Sequence, residues 1–220
     1  MTGDGKVQRK VLSTILVMIL FLPGCTTPVT EVVKFNGVDL VATEVIPFTL
    51  TSHDNTQFNF TDYEGKVVIV SFIFTECFDV CPIITYYLKW LSEQFEDDYP
   101  ENVAILSITV DPWTDSPYKM SEYVEAKNAT WPHLSIKDVN SELNEIEKVW
   151  ENFEVGLQII DNSSTNDENT SGRHHPLDYT VDHQTATIIV DKSMKQRVMW
   201  GDFDWIPELV VEDIKILLNE

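Results

Sequence analysis

Eight consecutive residues, Val67-Val68-Ile69-Val70-Ser71-Phe72-Ile73-Phe74, are apolar apart from one hydroxyl, and the run is bounded by Gly65 and Cys77. A strand with one wet face alternates apolar and polar side chains. This one does not, so both of its faces must be covered, which calls for helices above and below a sheet. A second run of the same kind spans Val103 to Val110. Between them, Pro82 opens a segment from Ile83 to Phe95 in which Ile84, Tyr87, Leu88, Leu91 and Phe95 recur at helical spacing, and proline is at home in a first helical turn. Strand, helix, strand is a right-handed βαβ unit with its two strands parallel.

The remaining periodicity completes the domain. Phe48-Thr49-Leu50 and Phe58-Asn59-Phe60 flank His53-Asp54-Asn55 as a hairpin. Ser116-Pro117 starts a helix through about Lys127. A third helix runs from Ser141 to Asn152, opened by Ser141 in a start that lacks the acidic end of a capping box. Thr185 to Val190 and Gln196 to Trp200 read as an antiparallel pair, and Ile206 to Leu218 as a closing amphipathic helix. The stretch Asp161 to Asp178 is a polar loop, longer than a compact domain tolerates without a purpose. The expected fold class is α/β: a thioredoxin-like fold with an N-terminal β-hairpin extension and a long loop insert before the C-terminal β-hairpin.

The N-terminus reads as an address. Lys6, Arg9 and Lys10 precede an apolar run, Val11 to Leu22, that ends in Leu22-Pro23-Gly24-Cys25. The run is shorter than the about 20 apolar residues a membrane span needs, and it has the shape of a secretory signal. Its Leu-x-Gly-Cys ending resembles a lipoprotein signal, with Cys25 as the lipid attachment site. The expected organisation is a signal over 1–24, a tether over 25–43 that folds back at Asn36-Gly37, and one domain over 44–220 on the outer face of the cytoplasmic membrane. Thirty-six acids against fifteen bases give a net charge of -21, which repels phosphate backbones and excludes nucleic acid as a partner. No acidic run is longer than Glu96-Asp97-Asp98, so the charge describes a solvated surface.

Of three cysteines, the other two carry the chemistry. Cys77 and Cys81 lie in Thr75-Glu76-Cys77-Phe78-Asp79-Val80-Cys81-Pro82, where a buried strand hands over to a helix. Open α/β sheets place ligands in that crevice, and a helix N-terminus favours thiolate over thiol. Three intervening residues put the sulfurs about one turn apart. Such a pair can hold a soft metal ion or close as a disulfide. A distal histidine, His183 in Tyr179-Thr180-Val181-Asp182-His183, would complete a set of two thiolates and an imidazole suited to Cu(I) and tolerant of Cu(II).

The Cys-x-x-x-Cys-Pro motif after a hydrophobic strand, the distal Val181-Asp182-His183, and Thr109-Val110-Asp111-Pro112 followed by Asp115-Ser116-Pro117 together resemble the Sco/SenC family, over roughly residues 44–218. The resemblance implies a membrane-tethered, thioredoxin-like copper chaperone that helps assemble the binuclear copper centre of cytochrome c oxidase. Cys77, Cys81 and His183 are then the copper ligands, and the copper-bearing subunit of the oxidase is the partner. One departure is Phe78, where the family has proline. Asp111 matches an acidic position of the family and is expected to brace a loop by a hydrogen bond.

A second reading uses Cys77 and Cys81 as the redox pair of a thiol-disulfide oxidoreductase that reduces oxidase cysteines, itself recharged by a thioredoxin-like reductant. A third, a peroxidase built on Thr75 and Cys77, needs neither the second cysteine nor the distal histidine. His174 and His175 in the polar loop are candidates for an accessory metal site. His53 and His133 read as surface residues, and Met120, Met194 and Met199 as core filler.

Overall fold

The strand over Val67–Ile73, called β4, is buried at every position. In this computed structural model the described residues are 34–161, 179–183, 186–201 and 203–220. Before β4 come β1 (Val38–Glu44), β2 (Thr49–Ser52) and β3 (Gln57–Asn59). After it come α1 (Cys81–Gln94), β5 (Val103–Thr109), α2 (Pro117–Lys127), β6 (His133–Ser135) and α3 (Val139–Asn152). The chain continues with β7 (Leu157–Asp161), β8 (Tyr179–His183), β9 (Ala186–Val190), β10 (Lys195–Gly201) and α4 (Pro207–Leu218).

Eight strands form one sheet in the order β1-β10-β9-β4-β5-β6-β2-β3. β4, β5 and β6 are parallel, and the other neighbours are antiparallel. Alternate residues of β4 feed two cores. Val67 and Ile69 pack with Ile84, Leu88 and Leu91 of α1 and Val210, Ile214 and Leu217 of α4. Val68, Val70 and Phe72 pack with Ile146, Val149 and Trp150 of α3. The absence of alternation in the sequence thus reflects a helical layer on each face. Each fully buried aliphatic side chain contributes about 1.5–3 kcal/mol, so the central strands anchor the fold. No helix among the described residues is long and apolar enough to cross a membrane.

The strand-helix order is thioredoxin-like, as the periodicity implies, and several details differ. Asn36-Gly37 does not turn a hairpin. Both backbone N–H groups donate to the buried Asp213 carboxylate of α4, at 2.7 and 2.9 Å, and β1 pairs with β10 as an edge strand within the stretch read as tether. A side chain 176 residues away therefore decides that local conformation. α3 opens at Asp138, whose carboxylate accepts from Asn140 N, three residues before the expected start. His133 is not a surface residue. It sits on β6 between β5 and β2, fully buried, with Nδ1 donating to the Trp131 carbonyl and its ring stacked on Trp131. Burial pushes its pKa down to about 4. His53 is half-buried beside it and accepts the His133 backbone N–H. Residues 1–33, with Cys25, and 162–178, with His174 and His175, lie outside the described residues.

Asp213 also accepts from Trp200 Nε1 at 3.1 Å, so it closes the β1–β10 edge onto α4. Asp213→Ala strips buried N–H donors of their acceptor and is expected to lower the unfolding free energy by about 2–4 kcal/mol in urea titration. Gly37→Ala should also destabilise, because a Cβ there would lie 2.6 Å from Trp200 Nε1 and 2.7 Å from Val198. A loss below about 0.5 kcal/mol in Asp213→Ala, with Gly37→Ala still destabilised, would show that the edge is held by packing alone.

Candidate metal centre

β4 ends at Ile73, and the next seven residues turn into α1. Val80, at the helix start, offers no side-chain cap. The first amides therefore need another acceptor, and the Cys81 N–H points at Cys77 Sγ, 3.4 Å away. Cys77 is half-buried, Cys81 is buried at the first helical position, and both are thiols rather than a disulfide. The Cys77 pKa is lowered to about 6. The Cys81 thiol contributes most, burial opposes it, and the backbone N–H groups of Cys81, Asp79 and Val80 add to the lowering. Cys77 is therefore mostly thiolate at neutral pH. The two sulfurs lie against an apolar cluster of Ile73, Phe74, Val80, Met120 and Tyr123. Phe78, in the position that departs from the family, is 70% exposed.

Cys81 is held from behind. Thr85 Oγ1 donates to the Cys81 carbonyl at 2.8 Å, so its remaining capacity is to accept, and Tyr123 OH donates to it at 2.8 Å. Burial pushes the Tyr123 pKa up to about 12, which keeps this hydroxyl a donor.

The loop from β5 into α2 holds the other side of the site. Asp115 is fully buried. It accepts from Thr75 N at 3.0 Å, from Thr75 Oγ1, and from Thr109 Oγ1 at 2.6 Å. Thr75 stands two residues before Cys77, so this carboxylate sets the start of the cysteine loop. Burial pushes the Asp115 pKa up to about 6, against the hydrogen bonds from Thr109 and Thr75. Ser135 Oγ on β6 donates to the Asp115 carbonyl. Asp111, also buried, braces a loop as the sequence implies, and its partner is new. Tyr179 OH donates to Asp111 Oδ1 at 2.6 Å, and Thr114 Oγ1 lies 3.3 Å from the same hydroxyl. Burial and then the Asp111 carboxylate hold the Tyr179 pKa well above the ordinary phenol range.

Tyr179 begins β8, which among the described residues pairs with β7 in a separate two-stranded sheet, Asp161 opposite Tyr179 and Leu157 opposite His183. Sequence reasoning treats this stretch as loop. The alternation Tyr179, Val181, His183 was the signal available for a strand. The His183 imidazole lies outside the described side chains, and no cluster of three metal-ligating side chains occurs among the described residues. The structure thus brings Cys77 and Cys81 together, places the backbone of His183 on β8, and links β8 to the loop that fixes Thr75. Tyr123 and Asp115 went unseen in the sequence as parts of the site because they act on Thr85 and Thr75 across 38 and 40 residues, and Thr85 because nothing local marks its hydroxyl out. The cue for Asp115 was its spacing from Thr109, at the end of a buried strand.

The resemblance can be set against known proteins. The model of the SCO1/SenC family matches residues 39–219. An SCO2-like protein of Rickettsia prowazekii is 29% identical over 147 residues, covering 67% of this chain and 64% of the relative, so the chain spans less than two-thirds of that relative's length. Bradyrhizobium japonicum ScoI, solved with copper bound, superposes with a TM-score of 0.63 at 25% identity, over 80% of this chain and 99% of that one. BsSco, a member of the Sco family of cytochrome c oxidase assembly proteins in which a disulfide switch was identified, superposes with a TM-score of 0.59 at 20% identity, over 84% and 98%. With the family pattern running through nearly all of the described domain and the sulfur pair at its strand-helix junction, the chain belongs to the SCO1/SenC family.

Proposed function

We propose that the protein is a copper metallochaperone, tethered outside the cytoplasmic membrane through a lipid on Cys25, that delivers copper to the binuclear site of a cytochrome c oxidase subunit. Cys77, Cys81 and His183 are its ligands in this reading. The observation that carries it is the sulfur pair: a thiolate with a pKa near 6 beside a second thiol, at a helix N-terminus and against apolar side chains. Two sulfurs in such surroundings fit a soft ion such as Cu(I). The buried carboxylate nearest the cysteine loop, Asp115, has its oxygens occupied by Thr75 and Thr109, so it supplies structure rather than a hard ligand. The family adds support: Bradyrhizobium japonicum ScoI carries copper, and BsSco is an oxidase assembly protein. The anchor is supported by the Leu22-Pro23-Gly24-Cys25 ending of the apolar run.

Copper is the cargo. Cys77 and Cys81 grip it from the rigid strand-helix junction, while His183 closes the set from β8. A neutral imidazole is the weakest of the three donors for a soft ion, so an incoming ligand of the recipient displaces it first, and the sulfurs are exchanged afterwards.

Anaerobic titration of the reduced protein is expected to show one copper per chain. Changing a residue that merely supports a metal ligand costs about 10–100-fold in affinity, so Cys77→Ser, Cys81→Ser and His183→Ala should each lose at least that much. Full-strength binding by His183→Ala, together with reduction of a substrate disulfide at the wild-type rate, would instead favour the thiol-disulfide oxidoreductase.

Protons compete with the metal for sulfur. The Cys77 pKa lies below its ordinary 9.0, so the thiolate persists down to about pH 6 and is lost below it. Iodoacetamide labelling of the reduced, metal-free protein should follow a titration centred near pH 6, and copper release should steepen below the same point. A labelling midpoint near 9 would show that the helix N-terminus and Cys81 do not activate Cys77.

A further inference from the structure

We propose that Tyr179 is a positioning residue for the copper site, its hydrogen bond to Asp111 fixing the strand that carries His183 against the same loop that fixes the cysteines. The proposal rests on His183 being a ligand.

The β7–β8 ribbon stands apart from the main sheet, and a lone two-stranded ribbon is marginal in water. Its place on the body depends on what ties it there. Val155, Leu157 and Val181 pack against the core beneath α3, but apolar contact is non-directional and tolerates sliding. The Tyr179 hydroxyl, by contrast, meets Asp111 Oδ1 at 2.6 Å, a length and direction that fix register. Thr114 Oγ1 stands 3.3 Å from the Tyr179 hydroxyl, and the Trp113 ring meets the Tyr179 ring edge-on at 6.3 Å. Asp111 is itself buried, and its N–H donates to Thr109 Oγ1 at 2.9 Å, so the acceptor is rigid.

Four residues further along the same loop, Asp115 holds Thr75. The loop therefore has two carboxylates, one gripping each segment that bears proposed ligands: Asp115 the cysteine loop, Asp111 the histidine strand. The strand spans about 13 Å from residue 179 to 183, so a tilt at its latched end is carried to the ligand position. Tyr179 touches neither sulfur nor metal in this account. It acts through β8.

Tyr179→Phe removes the hydroxyl and keeps the ring. Two readouts test the proposal. In the metal-free protein, amides of β7 and β8 should exchange about tenfold faster, the loss of one hydrogen bond, while those of β4 and β5 keep wild-type protection. With Cu(II) bound, the nitrogen coupling in the paramagnetic resonance spectrum should weaken or split into two species, and release to a chelator should quicken by about tenfold or more. In a His183→Ala background, the same Tyr179→Phe change should leave spectrum and release rate unmoved, because the latch then has nothing to position.

An unchanged Cu(II) spectrum and release rate in Tyr179→Phe, while His183→Ala alters both, would overturn the latch and leave the ligand set standing. An equal effect of Tyr179→Phe with and without His183 would also overturn it, showing a general loosening. A wild-type spectrum in His183→Ala would overturn the ligand set, and the latch with it.

Discussion

Asp115 is the point on which the site turns. Its carboxylate joins the ends of the two central parallel strands, taking the backbone and side chain of Thr75 beyond β4 and the hydroxyl of Thr109 at the end of β5. Where Thr75 sits decides where Cys77 emerges, and where Cys77 emerges decides which acceptor meets the first amide of α1. The arrangement is not cheap. A pKa raised from 3.8 to about 6 means that the ionised form is disfavoured by about 3 kcal/mol relative to the unfolded chain, even with three donors directed at it. What the group contributes to stability is present below pH 3.8 and lost as pH rises through 6. His133 works in the opposite sense: its pKa is lowered to about 4, so its contribution is present above 6.5 and lost as pH falls through 4. The two buried groups oppose each other over the same acidic window.

A carboxylate kept at that cost at the start of the turn that carries a reactive thiol is the pattern expected where geometry serves chemistry. Hydrophobic burial fixes the sheet and both helical layers, but burial alone does not place a sulfur to a fraction of an ångström. The placement comes from directional bonds at strand ends: Asp115 to Thr75, Thr85 to the Cys81 carbonyl, and Tyr123 to Thr85. The activated sulfur then needs no cationic neighbour. The Cys81 thiol and three amides at a helix start lower the Cys77 pKa in a chain whose net charge of -21 would otherwise raise it.

Legibility in the sequence followed the range of the interactions. β4, β5 and α1 were readable because their signals are local: uninterrupted apolar runs, and a proline in the first helical turn. The cysteine pair was readable for the same reason. β6 has three residues and β7–β8 a polar surround, too little periodicity to declare a strand. His133 looks solitary in the sequence, and only the order of strands, with β6 between β5 and β2, reveals that it is enclosed. Asn36-Gly37 has the composition of a tight turn, yet a carboxylate on the last helix claims its amides. The Asp111 brace was inferable, but its partner, 68 residues on, was not.

The cysteine turn and β8 are attached to the body in different ways. Cys81 stands at the first position of a helix packed against the fully buried β4, and Cys77 on the short turn that joins the two, so the pair is seated on the core. β8 belongs to a two-stranded ribbon set against the body through apolar contacts, the Trp113 ring and a hydrogen bond to a loop. A residue on such a ribbon can shift with fewer core contacts broken than one at the start of α1. In the proposed chaperone, with His183 as the third ligand, this asymmetry puts the imidazole on the ribbon first in the order of exchange and the paired sulfurs last.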